Sequence, residues 1–229
     1  MECLLCRQSI VRHYTLHAIL WTTHFYGDQI CQHCLRQFVR IDRNHACAQC
    51  GRLGATTALC QDCREAQRAD LEPLKNEALL QYNTAMHDYF QAYKRHGDYC
   101  LRLLFAGSLR QALQKYQADY LFVYIPTSVQ HYQQRQFDPV LGLFGDLCPL
   151  TALLGRNEID WHQSELKRAE RLKAPQTFAA QKERLAIVDK NKILLLDDIY
   201  TTGTTLRRGA TALRTAGFTG EICALTLAR

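Results

Sequence analysis

No stretch of this chain approaches the roughly 20 consecutive apolar residues that a membrane-spanning helix needs, which argues against membrane insertion. The opening Met-Glu-Cys-Leu-Leu-Cys lacks a basic region followed by an apolar core, so nothing reads as a secretory signal. A cytoplasmic location is expected. Lysine is missing from residues 1–68, where eight arginines against five acids give a net +3. Aliphatics are scarce between Arg156 and Arg184. Composition is otherwise ordinary for a soluble globular protein, at 47% hydrophobic and 22% charged. A net charge of +6 permits an anionic partner without demanding one. The 229 residues allow one large domain, or a normal domain plus a small module.

Cysteine breaks the pattern, with 11 residues. Eight form four Cys-x-x-Cys pairs: Cys3/Cys6, Cys31/Cys34, Cys47/Cys50 and Cys60/Cys63. Cys100, Cys148 and Cys223 are scattered and read as small core residues. In a reducing compartment, paired cysteines are metal ligands before they are disulfides. Each pair can form a tight knuckle that points two thiolates at one ion, and zinc takes four in a tetrahedron. Four pairs therefore supply two zinc sites of four cysteines each. Sequential pairing places Cys3, Cys6, Cys31 and Cys34 on one Zn²⁺, and Cys47, Cys50, Cys60 and Cys63 on the other. Interleaved pairing satisfies the same ligand count. A redox dithiol would need one pair in a βαβ setting, and an iron–sulfur cluster is the other alternative.

Residues 1–68 thus read as a small Cys-rich double zinc ribbon. Its large apolar residues (Leu16, Ile19, Leu20, Trp21, Phe25) are few and local, so metal would supply its folding energy. Arg7 to Tyr26 reads as a small hairpin or loop. His13, His17, His24, His33 and His45 add charge at lower pH. Such a basic ribbon suits a nucleic-acid surface, and equally a solvated structural clip.

Residues 69–75, with Pro73, read as a linker, and 76–229 as a second domain. A first strand is expected from Glu77 to Asn83. Thr84 would cap a helix through about Arg95, ended at Gly97, with Asp98 capping the next. Leu101, Leu104, Phe105, Leu109, Leu113 and Tyr116 form one apolar stripe on that second helix. Tyr120 to Ile125 is a clear strand. Thr127 and Ser128 follow at its tip, where a phosphate could be held or a helix simply capped. His131 to Pro139 is polar, Pro139 to Leu147 helical, and Pro149 to Leu154 a short strand. Arg156 to Arg184 reads as a long, basic mobile loop, which raises the prospect of function. Leu185 to Val188 is a further short strand, and Glu221 to Leu227 the last. Alternating strands and helices point to a parallel α/β sheet.

The most informative stretch is Ile193-Leu194-Leu195-Leu196-Asp197-Asp198-Ile199-Tyr200-Thr201-Thr202-Gly203-Thr204-Thr205. Unbroken aliphatics predict a strand buried on both faces. Leu206, Ala210 and Leu213 then recur at helical spacing. A hydroxyl-rich turn between strand tip and helix N-terminus suits a phosphate. Gly203 lets the backbone approach it. The adjacent acids can accept from sugar hydroxyls or hold Mg²⁺ through water. The stretch resembles the phosphoribosyl-pyrophosphate (PRPP) signature of type I phosphoribosyltransferases at twelve of thirteen positions; Tyr200, usually a small aliphatic, departs.

Taken together, the Cys-x-x-Cys pairs, Tyr93-Lys94 with Gly97-Asp98, Ile125-Pro126, Arg135 with Phe137, Gln163 to Phe178 and the Asp-Asp-x-x-Thr-Thr-Gly-x-Thr loop resemble the ComF family of competence proteins. The resemblance covers nearly the whole chain. It implies zinc ribbons joined to a type I phosphoribosyltransferase-like domain, and a part in natural transformation, where incoming single-stranded DNA is handled in the cytoplasm. It further implies that Asp197 and Asp198 contact ribose hydroxyls of Mg²⁺-PRPP, and that Thr201, Thr202, Gly203, Thr204 and Thr205 bind the 5-phosphate. Thr127, Ser128 and Arg135 would lie on the pyrophosphate side, and Gln163, Lys167, Arg168 and Arg171 in the mobile loop. The family usually has Arg-Gly-Phe-Asn where this chain has Arg135-Gln136-Phe137-Asp138, an Asn near Ala174, and Val-Pro-Val-Pro at Val123 to Pro126.

Three functions follow as expectations. The first is a competence protein whose ribbons and basic loop contact single-stranded DNA while the second domain binds PRPP. The second is an active phosphoribosyltransferase, for which neither a base-recognition motif nor an evident general base stands out. The third is a scaffold that binds a cytoplasmic DNA-uptake helicase.

Overall fold

Residues 193–196 form the centre of a sheet covered on both faces, and each of the four side chains is fully buried. Their alternation divides the core. Leu194 and Leu196 face one apolar cluster with Phe122 and Leu225. Ile193 and Leu195 face the other with Val123 and Ala224. This is what an unbroken aliphatic run requires, since successive strand side chains point to opposite faces. The computed structural model describes residues 1–11, 28–54, 58–69, 71–156, 177–186 and 189–229.

In chain order the elements are α1 (Gln32–Leu35), α2 (Gln61–Arg68), β1 (Lys75–Leu80), α3 (Thr84–Phe90), α4 (Ala106–Gln114), β2 (Leu121–Tyr124), α5 (Val129–Arg135), α6 (Pro139–Phe144), β3 (Leu150–Thr151), β4 (Leu154–Arg156), β5 (Phe178–Ala180), α7 (Lys182–Ala186), β6 (Lys192–Ile199), α8 (Thr204–Thr215) and β7 (Glu221–Ala228). The main sheet runs β1-β7-β6-β2-β3 with every neighbouring pair parallel. β4 and β5 form a separate antiparallel pair. The chain is therefore α/β, with a five-stranded parallel sheet and two four-cysteine groups in its N-terminal region. Among the described residues, no helix is long and apolar enough to cross a membrane.

The Cys-rich segment packs along the β1 edge of the sheet. Ile41 donates its N–H to Leu79, Gln81 donates to Val39, and Arg40 bridges Leu80 in antiparallel register. An edge strand otherwise exposes unpaired N–H and C=O groups; here residues 39–41 cover them. Arg43 pairs with Glu77, and Asp28 accepts from the N–H of Ser108 at 2.8 Å.

Several elements differ from expectation for local reasons. β1 begins at Lys75, and Asn83 rather than Thr84 caps α3, its side chain accepting from Met86 N–H at 3.0 Å. After Phe90 the helix widens into a π-type turn over Gln91–Arg95. The second amphipathic helix is divided into a tight 3₁₀ turn, Tyr99–Leu103, and α4. The polar stretch at His131 is helical (α5), capped by Ser128 and with no buried residue. Pro149 to Leu154 splits between β3 and the start of β4. Leu185 lies in α7 instead of a strand, while 187–188 fall outside the described residues. So do most of the Arg7–Tyr26 segment and the mobile-loop candidates Gln163, Lys167, Arg168 and Arg171.

Candidate phosphate-binding site and metal centres

The eight paired cysteines gather into two groups in sequential order, Cys3/Cys6/Cys31/Cys34 and Cys47/Cys50/Cys60/Cys63. In each, the four sulfurs lie within 4.8 Å of one another. Zinc–thiolate bonds of about 2.3 Å in a tetrahedron put sulfurs about 3.8 Å apart. The contacts Cys6–Cys31 at 3.5 Å, Cys50–Cys60 at 3.5 Å and Cys47–Cys63 at 3.8 Å fit that spacing. The two groups are built alike. The first pair of each sits on a knuckle: Arg7 N–H bonds Cys3 C=O, and Gly51 N–H bonds Cys47 C=O. Arg7 and Gly51 both take positive φ there, 62° and 75°. The second pair starts a helix, with Cys31 and Cys60 as the N-caps of α1 and α2. Backbone N–H groups of Cys34 and Cys60 point at the sulfurs of Cys31 and Cys47.

The thiols conflict as they stand. Burial would raise Cys3, but N–H bonds from Cys31, Cys6 and Leu5 outweigh it and bring its pKa down to about 6. Cys50 falls to about 4, chiefly through its bond from Cys63 and, against burial, through Arg229. Burial pushes Cys34 up, and the bond to Cys50 followed by burial does the same to Cys63. A cation among four sulfurs removes this opposition, because every member can then be a thiolate. Two four-cysteine groups of this form are able to hold metal ions, and the donor set suits zinc.

The second feature lies where β6 meets α8. Gly203 is the N-cap of α8, with φ 74°. Only glycine fits: L-residues disfavour that φ, and a Cβ would collide with the Tyr200 hydroxyl. Gly203 has no side chain to cap the helix, and the first N–H of α8, that of Thr204, meets Thr202 Oγ1 at 3.4 Å. Thr202 and Thr204 hydroxyls share a hydrogen bond of 2.8 Å, and Arg207 donates to Thr202 C=O at 2.9 Å. Backbone N–H groups, hydroxyls and a helix N-terminus converge, which is the donor set a phosphate takes.

Beside the loop, Asp197 and Asp198 are both only 9% exposed. Asp197 Oδ1 accepts from Asp198 N–H at 2.9 Å. Burial and then the Asp198 charge push the Asp197 pKa well above the ordinary carboxylate range, with Lys94 opposing. Lys94 Nζ lies 2.5 Å from Asp198 Oδ2. The π-type turn sets this up: it buries Tyr93, whose hydroxyl donates to Pro139 C=O at 2.9 Å, and turns Lys94 toward the acids. A sugar diol or hydrated Mg²⁺ would meet a carboxylate pair already partly neutralised by one lysine.

On the expected pyrophosphate side, Thr127 and Ser128 are committed to structure. Thr127 N–H donates to Asp138 Oδ2 at 2.8 Å, and Ser128 Oγ accepts from His131 N–H at 3.2 Å. Asp138 Oδ1 also caps α6 through Val140 and Leu141. One carboxylate thus accepts three N–H groups. An asparagine could not do so with both side-chain atoms, which gives the Asp at this position a physical reason. Arg135 ends α5, and with Arg156 and Lys94 it adds to the burial that lowers the His131 pKa. Arg156 reaches Pro126 C=O at 3.4 Å and senses Asp197. The rim of the acid pair is therefore cationic.

Asp197 and Asp198 lie at the end of β6, and residues 201–205 form the turn into α8 and its first residues. Sequence reasoning gave no role at the acid pair to Lys94, and overlooked Arg156 and Arg207. Lys94 was noticed only as part of Tyr93-Lys94; its position at the end of an aromatic helix gave no sign of an ion-pair partner as distant in sequence as Asp198. No protein-family model matches the chain. It is 35% identical over 218 residues to the competence protein ComFC of Streptococcus pneumoniae strain R6, covering 95% of each chain. It is 28% identical over 237 residues to the competence protein ComFC of Bacillus subtilis strain 168, covering 99% of this chain and 94% of that one.

Proposed function

The chain belongs to the ComF family of competence proteins, and from this we propose that it serves natural transformation by coupling a ribose-phosphate site to the handling of single-stranded DNA. The relatives support a competence-related role; the ligand and the nucleic acid are this reading's own additions. The observation that carries the ligand is the glycine-capped N-terminus of α8 with its threonine hydroxyls, next to the buried acid pair. Thr202, Thr204 and the first N–H groups of α8 would hold the 5-phosphate of PRPP, and Asp197 and Asp198 its ribose hydroxyls. Lys94 would shift from Asp198 as those hydroxyls arrive. Mg²⁺, where bound, would neutralise charge on the pyrophosphate. Arg156 and Arg135 stand at the side where that group would lie.

The nucleic-acid half of the reading is supported by the exposed arginines of the ribbons. Arg7, Arg36 and Arg68 are solvent-facing, while Arg43 and Arg52 are engaged by Glu77 and Asp62. A phosphate-tracking surface of this kind binds with steep salt dependence. Purified protein is expected to retard a single-stranded oligonucleotide at low salt, less so at high salt, and less again after Cys31→Ser. Tight binding that ignores both salt and zinc would overturn the surface. For the ligand, calorimetric titration with Mg²⁺-PRPP is expected to give binding that Asp198→Asn abolishes. A well-folded protein that shows no heat and no thermal shift with PRPP would overturn the site.

A second reading, active phosphoribosyl transfer, is favoured by the cationic rim of Lys94, Arg135 and Arg156. Positive charge held beside a departing pyrophosphate is what a dissociative transition state needs. Release of pyrophosphate from PRPP on adding candidate acceptors separates a catalyst from a binder.

A further inference from the structure

The residue that departs from the phosphoribosyl signature is also the one that touches the ribbon side of the molecule. Tyr200 is 2% exposed, and its ring lies under the phosphate loop against Gly203. The guanidinium of Arg229 sits over that ring, 5.1 Å from its centroid. The same side chain is only 8% exposed and reaches two acceptors on two parts of the fold. Its Nη1 donates to Thr201 C=O in the phosphate loop at 2.8 Å. Its Nη2 lies 3.4 Å from Asp62 on α2, the helix whose start carries Cys60 and Cys63. Its positive charge also favours the thiolate of Cys50. The backbone around it is fixed by Arg229 N–H to Leu80 C=O, Tyr82 N–H to Arg229 C=O, and Tyr200 N–H to Ala228 C=O.

We propose that Arg229 and Tyr200 form a strut between the second four-cysteine cluster and the phosphate loop, so that the loop is ordered for a phosphate ester only while that cluster holds its metal. Arg229 and Tyr200 are positioning residues in this scheme, with no contact to ligand required. The proposal rests on the ribose-phosphate reading above for its ligand, though not for its mechanics. Four thiolates around a divalent cation leave net negative charge, which a buried guanidinium beside Cys50 balances. Without the cation, only weak thiol contacts hold the four sulfurs together, and α2 is anchored less firmly at Cys60 and Cys63. Arg229 then loses its hold on one side, and the Thr201 carbonyl loses its fixed donor. Among the described residues, the first cluster has no such route. Cys3, Cys31 and Cys34 pack into the apolar cluster on the opposite face of the sheet, whereas Tyr200, Leu206 and all four cysteines of the second share one.

Hydrogen exchange of the ligand-free full chain tests the strut without relying on PRPP. Amides of residues 200–206 are expected to exchange about tenfold faster in Arg229→Met, the effect of losing one charge-assisted hydrogen bond. Cys60→Ser should do the same, and in both variants the loss of protection at 200–206 should exceed any loss at residues 193–197. Cys31→Ser, which breaks the first cluster, should loosen 200–206 no more than 193–197. Unchanged loop exchange in Arg229→Met, or equal loosening by Cys31→Ser, overturns the strut. If Arg229→Met loses as much protection at 193–197, Asp62→Asn replaces it. That change removes the arm on α2 together with the Arg52 pair, so Arg52→Met is its control; it is expected to loosen 200–206 less than Arg229→Met does, and loosening no greater than in Arg52→Met counts against the proposal. Mg²⁺-PRPP calorimetry is run alongside. Wild type failing to bind overturns the ligand reading alone. Wild type binding with Arg229→Met at undiminished affinity overturns the strut.

Discussion

Burial and the neighbouring Asp198 charge both oppose ionisation of Asp197, and this has a measurable sign. A carboxyl whose folded pKa is raised contributes no penalty below the unfolded value of about 3.9, where both states hold the proton. As pH rises toward the folded pKa, the unfolded chain ionises first and stability falls. Asp197→Asn should therefore stabilise the ligand-free protein near neutral pH and change little below about pH 4. Denaturation curves across pH would read the divergence; a variant less stable than wild type at neutral pH contradicts it. The same change should abolish PRPP binding, since an amide cannot become the carboxylate that would accept from two ribose hydroxyls. Gln136 carries a second residue-scale prediction. It closes α5 at φ 62°, a conformation that costs a side chain and not a glycine. Relief of about 1–2 kcal/mol of left-handed strain outweighs the added chain entropy of glycine, about 0.5–1 kcal/mol. Gln136→Gly should therefore raise the melting midpoint. At this scale the acids and threonines of the loop were legible because they lie in one short run. Lys94 and Arg229 were not, because single basic residues acquire partners only through tertiary structure.

At the scale of elements, legibility followed how much of the pattern is local. β6 and α8 carry their burial in unbroken or helical spacing, and both formed where the sequence placed them. α5 was missed because Val129–Arg135 buries nothing, so no apolar period marks it. Leu185 was misplaced because four apolar residues in a row, 185–188, suit a strand and a short helix equally. The cysteine pairs were legible as ligands, but ligand count could not choose sequential over interleaved pairing; the packing of knuckle against helix start does. The two centres nonetheless differ in exposure. Cys6 is exposed, whereas all four cysteines of the second group are buried. A chelator should therefore strip zinc in two phases, the first from Cys3, Cys6, Cys31 and Cys34. Release followed with a colorimetric chelator should lose its fast phase in Cys6→Ser. A single phase covering both ions would contradict the difference in access.

For the molecule as a whole, the two cysteine groups lie on opposite faces of one sheet and each shares that face's apolar cluster. The first group packs with Met86, Phe90 and Phe105, and the second with Leu74, Tyr200 and Leu206. Segment 39–41 also covers the β1 edge. Residues 76–229 alone would thus expose apolar surface on both faces and an unpaired edge strand, a combination that favours aggregation. Zinc binding is accordingly expected to stabilise the whole chain and not only its N-terminal part. Stripping both ions should lower the melting temperature of the sheet itself, reported by β6 and β7, in one cooperative transition with the ribbons. The size follows from mass action, RT ln(1 + [Zn²⁺]/Kd), so the midpoint should climb as free zinc is raised. Calorimetry at several buffered zinc levels would read it. A sheet transition that stays fixed while a separate, smaller one moves with zinc would mean that the ribbons fold alone.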